Sequence, residues 1–139
     1  MNQSITIAFD GGCKPTNPGN KYGSFEVMMN SRSVFKASRI ELGHGTSNEA
    51  EFDSLQAALD WTVDDLAKAG LDPSVFTVRL FTDSLILTNR LKARKCDGKG
   101  EAAKRIGKLT RRALAQLTKF HLWAVEWHSR TNNVARFGH

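Results

Sequence analysis

The chain has 139 residues, of which 40% are hydrophobic and 24% charged, so its size and composition fit one folded domain rather than a disordered segment. No apolar run reaches the roughly 18 residues that a membrane-spanning helix needs. The N-terminus has no basic region before an apolar stretch, so we expect no signal peptide. We therefore expect a single domain over residues 1–139, cytoplasmic and monomeric, with no membrane partner. Cys13 and Cys96 form no metal-binding motif and are expected to be free thiols.

Positive charge is concentrated in one segment. Basic residues outnumber acidic ones by 20 to 14 overall, and residues 90–119 contain many of the basic ones but only Asp97 and Glu101 as acids. Such a segment suits a polyphosphate partner such as nucleic acid. A solvated helix face with no partner would have the same composition, and charge alone does not separate the two.

The first half of the chain begins with strands. Ile5, Ile7 and Phe9 alternate with small or polar residues, which predicts a strand that ends at Asp10. Residues 11–23 contain four glycines and two prolines and are predicted to form a loop. Two further strands are predicted at about 24–29 and 33–42, with a hairpin at residues 30–32.

A long helix should follow these strands. Apolar residues recur at steps of three and four positions, which gives one apolar stripe: Phe52, Leu55, Leu59, Val63 and Leu66. Thr46 and Glu49 have the spacing of a capping box at its start, and Gly70 is a natural end.

The second half alternates strands and helices. The patterns predict a strand from about 76 to 83, a short helix at 84–91, a loop at 92–100, a basic amphipathic helix at 102–118 and a last strand at 120–128. Three early strands favour an antiparallel meander, and the later alternation favours parallel crossovers. The fold class is therefore α/β, with a five-stranded mixed sheet flanked by helices.

Carboxylates follow two of the predicted strands. Asp10 and Asp83 both end a strand, and ligands of open α/β sheets bind at such ends. Neighbouring buried carboxylates are costly without a cation, so the pair suggests a site for a metal such as Mg²⁺. Two unrelated turn residues would give the same pattern. Glu51 could join the site or could instead cap its helix with Asn48.

Several motifs resemble type 1 ribonucleases H, in that family's order and with similar spacing. They are Asp10-Gly11-Gly12, Asn17-Pro18-Gly19, Tyr22-Gly23, Thr46-Ser47-Asn48-Glu49-Ala50-Glu51, Thr82-Asp83-Ser84, and Arg130 with the stretch Asn132 to Ala135. Each motif alone is weak evidence for the family, but together the motifs span most of the chain. They favour a metal site over the alternatives that Asp10 and Asp83 are turn residues and that Glu51 caps its helix.

The resemblance implies the RNase H-like fold and an endonuclease that hydrolyses the RNA strand of RNA–DNA hybrids. It implies that Asp10, Glu51 and Asp83 are catalytic and bind two Mg²⁺ or Mn²⁺ ions. Asn17 and Asn48 would contact the minor groove and the RNA 2′-hydroxyls. A DNA-strand phosphate would lie at the helix N-terminus that Thr46 and Ser47 begin. Arg130 is a further expected substrate contact.

The last motif departs from the family. The family has an acid where this chain has Arg136, and the chain stops at His139, so a shortened C-terminal helix is expected. Three explanations are open. Asn132 or His139 could act as a neutral ligand, which we favour because three acids remain. The protein could instead bind hybrids without cutting them. Finally, the true counterpart could be Asn133 or Glu126.

A helix from residue 132 onward would place Asn132, Arg136 and His139 on one face. Arg136 cannot bind a cation, so it should point away from the metal and toward a substrate phosphate. The three tryptophans, Trp61, Trp123 and Trp127, are expected to pack in the core rather than to stack on bases.

Overall fold

The computed structural model describes residues 3–139 and contains one five-stranded sheet with four α-helices. The strands are β1 (Gln3–Lys14), β2 (Gly19–Met29), β3 (Arg32–Gly45), β4 (Phe76–Thr82) and β5 (Leu122–Trp127). The helices are α1 (Ser47–Lys68), α2 (Leu85–Ala93), α3 (Glu101–Leu117) and α4 (Arg130–Phe137), with a 3-10 turn at Pro73–Val75.

The strand order is β3-β2-β1-β4-β5. Strands β1, β2 and β3 pair antiparallel, whereas β4 runs parallel to β1 and β5 runs parallel to β4. The predicted mixed sheet, three antiparallel strands and then parallel ones, is therefore confirmed. The parallel order brings the carboxyl end of β4 beside β1, which is what positions the candidate site.

The core lies on the sheet face that α1 covers. Alternate residues of β1, including Ile7 and Phe9, are fully buried there, together with Leu55 and Leu59 of α1. Burying each such side chain contributes about 1.5–3 kcal/mol. The predicted stripe of α1 is confirmed, although Val63 is only partly buried.

Within residues 3–139, no helix combines the length and the apolar character that a bilayer crossing requires.

The predicted loop at residues 11–23 is wrong. Strand β1 continues to Lys14 and β2 begins at Gly19, so Asp10 lies inside a strand rather than at its end. Gly11 is required for close packing between β1 and α1 rather than for a turn. A Cβ atom on Gly11 would lie 2.4 Å from the carbonyl carbon and oxygen of Ala50 in α1. Glycine is needed here because the helix packs directly against the strand.

Helix α4 lies on the opposite face of the sheet from α1. The Arg136 guanidinium forms an ion pair with Glu26, and Lys36 Nζ donates a 2.6 Å hydrogen bond to the Arg136 carbonyl. The helix has eight residues and is followed by its cap residue Gly138, whose φ is 81°. The expected helical face shared by Asn132, Arg136 and His139 is therefore wrong, because His139 lies beyond the end of the helix.

Candidate metal centre

Three acidic side chains meet at one place. One carboxylate oxygen each from Asp10, Glu51 and Asp83 lies within 4.8 Å of the other two. Asp10 and Glu51 are only 6% and 8% exposed. The three come from β1, from the first turns of α1 and from the residue after β4. We refer to this cluster and its surrounding cavity of 240 Å³ as the acid pocket.

Glu51 reaches the acid pocket because other residues cap its helix. Thr46 Oγ1 accepts a hydrogen bond from Glu49 N at 3.2 Å, and Thr46 N donates to Glu49 Oε1 at 3.1 Å. This is the capping box that the sequence predicted, so Glu51 is not the capping acid. Its Oε2 atom is buried and has no hydrogen-bond partner within residues 3–139. A buried carboxylate oxygen without a partner is costly unless a ligand completes it.

Asp83 is held through its backbone. Ser84 caps α2 by accepting a hydrogen bond from Leu87 N at 3.1 Å. Trp127 Nε1 donates to the Asp83 carbonyl at 2.9 Å. Trp127 is 50% exposed, so its expected place in the core is wrong. Trp61 and Trp123 pack against the core as expected. Trp127 pairs with Thr82 in the register of β4 and β5, which places it at the same sheet edge as Asp83.

The electrostatics of the acid pocket favour a bound cation. Burial and then the charge of Asp83 raise the pKa of Asp10 to about 7. Burial and then the charge of Asp10 raise the pKa of Glu51 well above its usual range. Both shifts mean that neighbouring groups such as Arg130 only partly compensate the negative charges. Carboxylate oxygens are the ligands that Mg²⁺ prefers and that Mn²⁺ accepts, so the side chains fit a divalent ion.

His139 also reaches the acid pocket. Its Nδ1 lies 2.6 Å from Asp10 Oδ2, and its Nε2 lies 2.6 Å from Ser24 Oγ. Burial and then the charge of Arg39 lower the pKa of His139, which favours the neutral imidazole. With a neutral imidazole the contact with Asp10 is a hydrogen bond, and it is an ion pair only when His139 is protonated. Neutral imidazole could also act as a metal ligand.

The other residues considered as replacements for the missing acid lie elsewhere. Asn132 lines a groove on the α4 side of the sheet together with Glu26 and Arg136. Glu126 pairs with Arg79, at 2.6 Å.

Asn133 is fully buried, with its Oδ1 2.8 Å from His128 Nε2. Arg136 does not line the acid pocket, and Glu26 neutralises its guanidinium. Of the four replacements considered, the structure brings only His139 into contact with the acid cluster.

Side chains of the protein already accept hydrogen bonds from backbone N–H groups at the start of α1. Asn17 Nδ2 donates to Ser47 Oγ at 2.9 Å, and Asn17 Oδ1 accepts from Ser47 N at 3.1 Å. Together with the capping box, this engages the backbone N–H groups of Thr46 and Ser47, which were expected to hold a phosphate. Asn48 and Arg130 are exposed and line a groove of 450 Å³ beside the acid pocket. This Trp127 groove also contains Leu85, Ile86 and Trp127.

Ser24 and Arg39 are contacts of the site that the sequence did not indicate. Ser24 is fully buried, and its hydroxyl also accepts a 2.9 Å hydrogen bond from Arg39 N. Neither residue belongs to a recognisable motif. Trp127 had a usable signal, because it ends the predicted strand that neighbours the one before Asp83.

No protein-family model and no curated protein matches the sequence. Solved structures do match. RNase H1 from the archaeon Halobacterium salinarum NRC-1 is 25% identical, with a TM-score of 0.72 over 94% of this chain and 89% of its own. The N-terminal RNase H domain of a Mycobacterium tuberculosis protein is 26% identical, with a TM-score of 0.74 over 94% of this chain and 91% of its own.

A third structure shows likeness at the level of the fold. LC11-RNase H1, isolated from compost by a metagenomic approach and solved in complex with an RNA/DNA hybrid, is 18% identical. Its TM-score is 0.74 over 96% of this chain and 91% of its own. The mixed sheet, the helices and these likenesses agree on one fold, that of ribonuclease H.

Proposed function

We propose that this chain, an RNase HI-like protein of the ribonuclease H fold, hydrolyses the RNA strand of RNA–DNA hybrids with two bound Mg²⁺ or Mn²⁺ ions. The observation that carries this function is the meeting of Asp10, Glu51 and Asp83, with ligand oxygens within 4.8 Å of one another. The unpartnered Glu51 Oε2 atom supports a cation there. The RNase H1 structures at 25% and 26% identity support the nuclease class.

Asp10, Glu51 and Asp83 would hold the ions, and His139 would complete the set as a neutral ligand or would hold Asp10 in place. When bound, divalent cations supply the charge that activates a water molecule and stabilises the departing 3′-oxygen in phosphodiester hydrolysis. The protein's own contribution is to fix the carboxylates. The close contact at Gly11 brings α1 against β1, and Trp127 fixes the backbone of Asp83.

Substrate binding is proposed for the residues around the acid pocket. Arg130 is exposed and lines both the acid pocket and the Trp127 groove, so it suits the phosphate next to the reacting one. Asn48 is exposed in the same groove and suits a base edge or a 2′-hydroxyl. Asn17, Thr46 and Ser47 would shape the surface that receives the duplex. Arg136 is a weaker candidate, because Glu26 already pairs with it.

The basic face of α3 suits the phosphate backbone. Lys108, Arg111 and Arg112 are exposed, and within residues 3–139 none has a carboxylate within 4.0 Å. Arg105 lies 3.8 Å from Glu49 near the start of α1, so this helix runs close to the proposed duplex surface. Such cations attract nucleic acid without reading its sequence.

The test uses one labelled sequence as an RNA–DNA hybrid, as dsRNA and as dsDNA, each incubated with protein and either Mg²⁺ or Mn²⁺. We expect cleavage of the RNA strand of the hybrid alone. Asp64→Asn is a matched control, because Asp64 is an exposed acid at the far end of α1 that pairs with Lys68. Cleavage of dsDNA, or no cleavage in either metal, would contradict the proposal.

A second candidate function is hybrid binding without hydrolysis. It is favoured by Arg136, which stands where the family has its fourth acid and forms an ion pair with Glu26. Tight binding of the hybrid together with no cleavage in Mg²⁺ or Mn²⁺ would select this second function.

A further inference from the structure

Arg39 lies in an unusual backbone conformation at a bulge in β3. In the pairing of β2 and β3, Gly23 is opposite Ile40 and Phe25 is opposite Ala37, so Ser38 and Arg39 together face Ser24. The φ angle of Arg39 is 52°. Residues other than glycine seldom adopt such angles, and they do so where the surroundings hold them. Here the Arg39 N–H donates to the buried hydroxyl of Ser24 at 2.9 Å.

The bulge directs the Arg39 side chain toward the acid pocket. Its Nη2 donates to the Gly138 carbonyl at 3.1 Å, next to His139. Its Cζ lies 5.8 Å from the centroid of the Tyr22 ring. Tyr22 in turn packs edge-on against the His139 ring, with centroids 4.9 Å apart. Bulges next to active sites often redirect a side chain in this way.

A second cation accompanies Arg39. Lys14 Nζ lies 5.5 Å from the same Tyr22 ring. Both residues are exposed, and within residues 3–139 neither has a carboxylate within 4.0 Å. Together with Tyr22, Asn20 and Glu41 they line a cleft of 520 Å³.

Lys21 also lines the cleft but is paired with Asp53. Glu41 therefore remains as the only acidic side chain that lines the cleft among the described residues, facing two unpaired cations. The net positive charge of these side chains favours binding of an anion in the cleft.

The cleft and the Trp127 groove lie on opposite sides of the acid pocket. The cleft belongs to β2, β3 and the end of β1, whereas the groove belongs to β5 and the starts of α1 and α2. Tyr22 lines both the cleft and the acid pocket, so the two are continuous. A strand that crosses the acid cluster from the Trp127 groove would enter this cleft.

We propose that Arg39 and Lys14 bind one backbone phosphate of the nucleic-acid strand that crosses the acid pocket. Arg39 is two strands away from Asp10, about 10 Å at about 4.8 Å per strand. The bound phosphate would therefore be a near neighbour of the reacting phosphate on the same strand. The identity of the ligand as nucleic acid rests on the proposed function. The two cations and the bulge that presents Arg39 are features of this chain's own structure.

The test measures hybrid binding by fluorescence anisotropy over a series of KCl concentrations, in EDTA so that no hydrolysis occurs. The variant is Lys14→Gln/Arg39→Gln. Its matched control is Arg32→Gln/Lys68→Gln, which removes two exposed charges from the far end of β3 and the far end of α1. A third variant, Lys14→Arg/Arg39→Lys, keeps both charges. Thermal unfolding of all three reports any loss of fold.

We expect the slope of log K against log [KCl] to become shallower by about 0.9 in the first variant, which is the contribution of one phosphate contact. The slope should be unchanged in the control and restored in the third variant. Neutral methylphosphonates placed one at a time at the phosphates on either side of the cleaved bond should include one position that weakens binding by wild type but not by the first variant.

Equal slopes in the first variant and the control would overturn the phosphate site. So would a lower melting temperature for the Lys14→Gln/Arg39→Gln variant with no change in slope, because Arg39 would then only hold the Gly138 carbonyl. Cleavage by wild type with an unchanged slope overturns this inference alone. A changed slope without cleavage overturns hydrolysis alone.

Discussion

Two regions of the molecule handle charge in opposite ways. On the side of α1 and β4, Asp10, Glu51 and Asp83 lie together, and no lysine or arginine forms an ion pair with any of them among residues 3–139. On the side of α4, Arg136 and Glu26 neutralise each other. Buried carboxylates without a neighbouring cation imply a ligand that neutralises them. An ion pair within the protein neutralises its own charges and needs no ligand. The first side is therefore built for binding and the second for holding α4 on the sheet.

Removing one uncompensated acid should have the largest effect. We expect Asp10→Asn or Asp83→Asn to lower cleavage at least about a thousandfold, about 4 kcal/mol of barrier, because the cation site is lost. Without metal, both variants should unfold at or above the wild-type temperature, since repulsion is relieved. Single-turnover cleavage and calorimetry measure the two effects. Near wild-type cleavage would contradict a metal centre at these residues.

His139→Ala tests the contact that links the terminal residues to the acids. A side chain that orients a metal ligand or binds the metal typically contributes about 10- to 100-fold in affinity or activity. We expect a loss in that range. A larger loss in Mn²⁺ than in Mg²⁺ would indicate direct ligation, because imidazole suits Mn²⁺ better than Mg²⁺. An equal loss in both metals would assign His139 to holding Asp10, and no loss would exclude both roles.

Arg136→Asp removes the ion pair between Arg136 and Glu26 that holds α4 on the sheet. Glu26 would lose its partner and face a like charge, so we expect the free energy of unfolding to fall by about 1–3 kcal/mol. Arg79→Asp is the control, because the Arg79–Glu126 pair is about half exposed and should change stability by less than about 1 kcal/mol. Adding Glu26→Gln to Arg136→Asp should recover part of the loss. Urea denaturation gives all three values, and equal effects for the two arginines would contradict this distinction.

The stability of the metal-free protein should also depend on pH. The raised pKa values of Asp10 and Glu51 mean that the folded state holds protons that the unfolded state has released. Stability should therefore fall as pH rises from about 4 to about 7, and saturating Mg²⁺ should reduce the fall. Melting temperatures across this range, with and without metal, measure it. Asp10→Asn should flatten the profile, and an unchanged profile would show that Asp10 does not titrate in this range.

Several elements follow from local patterns. The α1 stripe of Phe52, Leu55, Leu59 and Leu66 is buried as its period predicts, and the Thr46–Glu49 capping box forms as its spacing predicts. Both depend on neighbours three or four residues apart, which a sequence shows directly. Asp10 and Asp83 were candidates because each ends a predicted strand, and the resemblance to the family added Glu51.

Other features depend on distant contacts. The glycines of residues 11–23 predicted a loop, but Gly11 is needed where α1 meets β1, some 40 residues away in sequence. Trp127 was assigned to the core by its apolar surface, although the strand it ends lies at the exposed edge of the sheet. Composition could not distinguish a loop from a strand at residues 11–23, or a core position from an exposed one at Trp127. In both cases the residues that decide the outcome belong to another helix or strand.

Sequence patterns were enough to predict the order of the strands and helices, the capped start of α1 and the three acids that lie together in the acid pocket. The tertiary structure alone decided which of those acids lack compensation, that His139 rather than Asn132 meets Asp10, and that Arg136 is closed by Glu26. It also decided the bulge that presents Arg39. The physical reason is that periodicity and capping act over one helical turn, whereas charge compensation depends on which strands lie side by side.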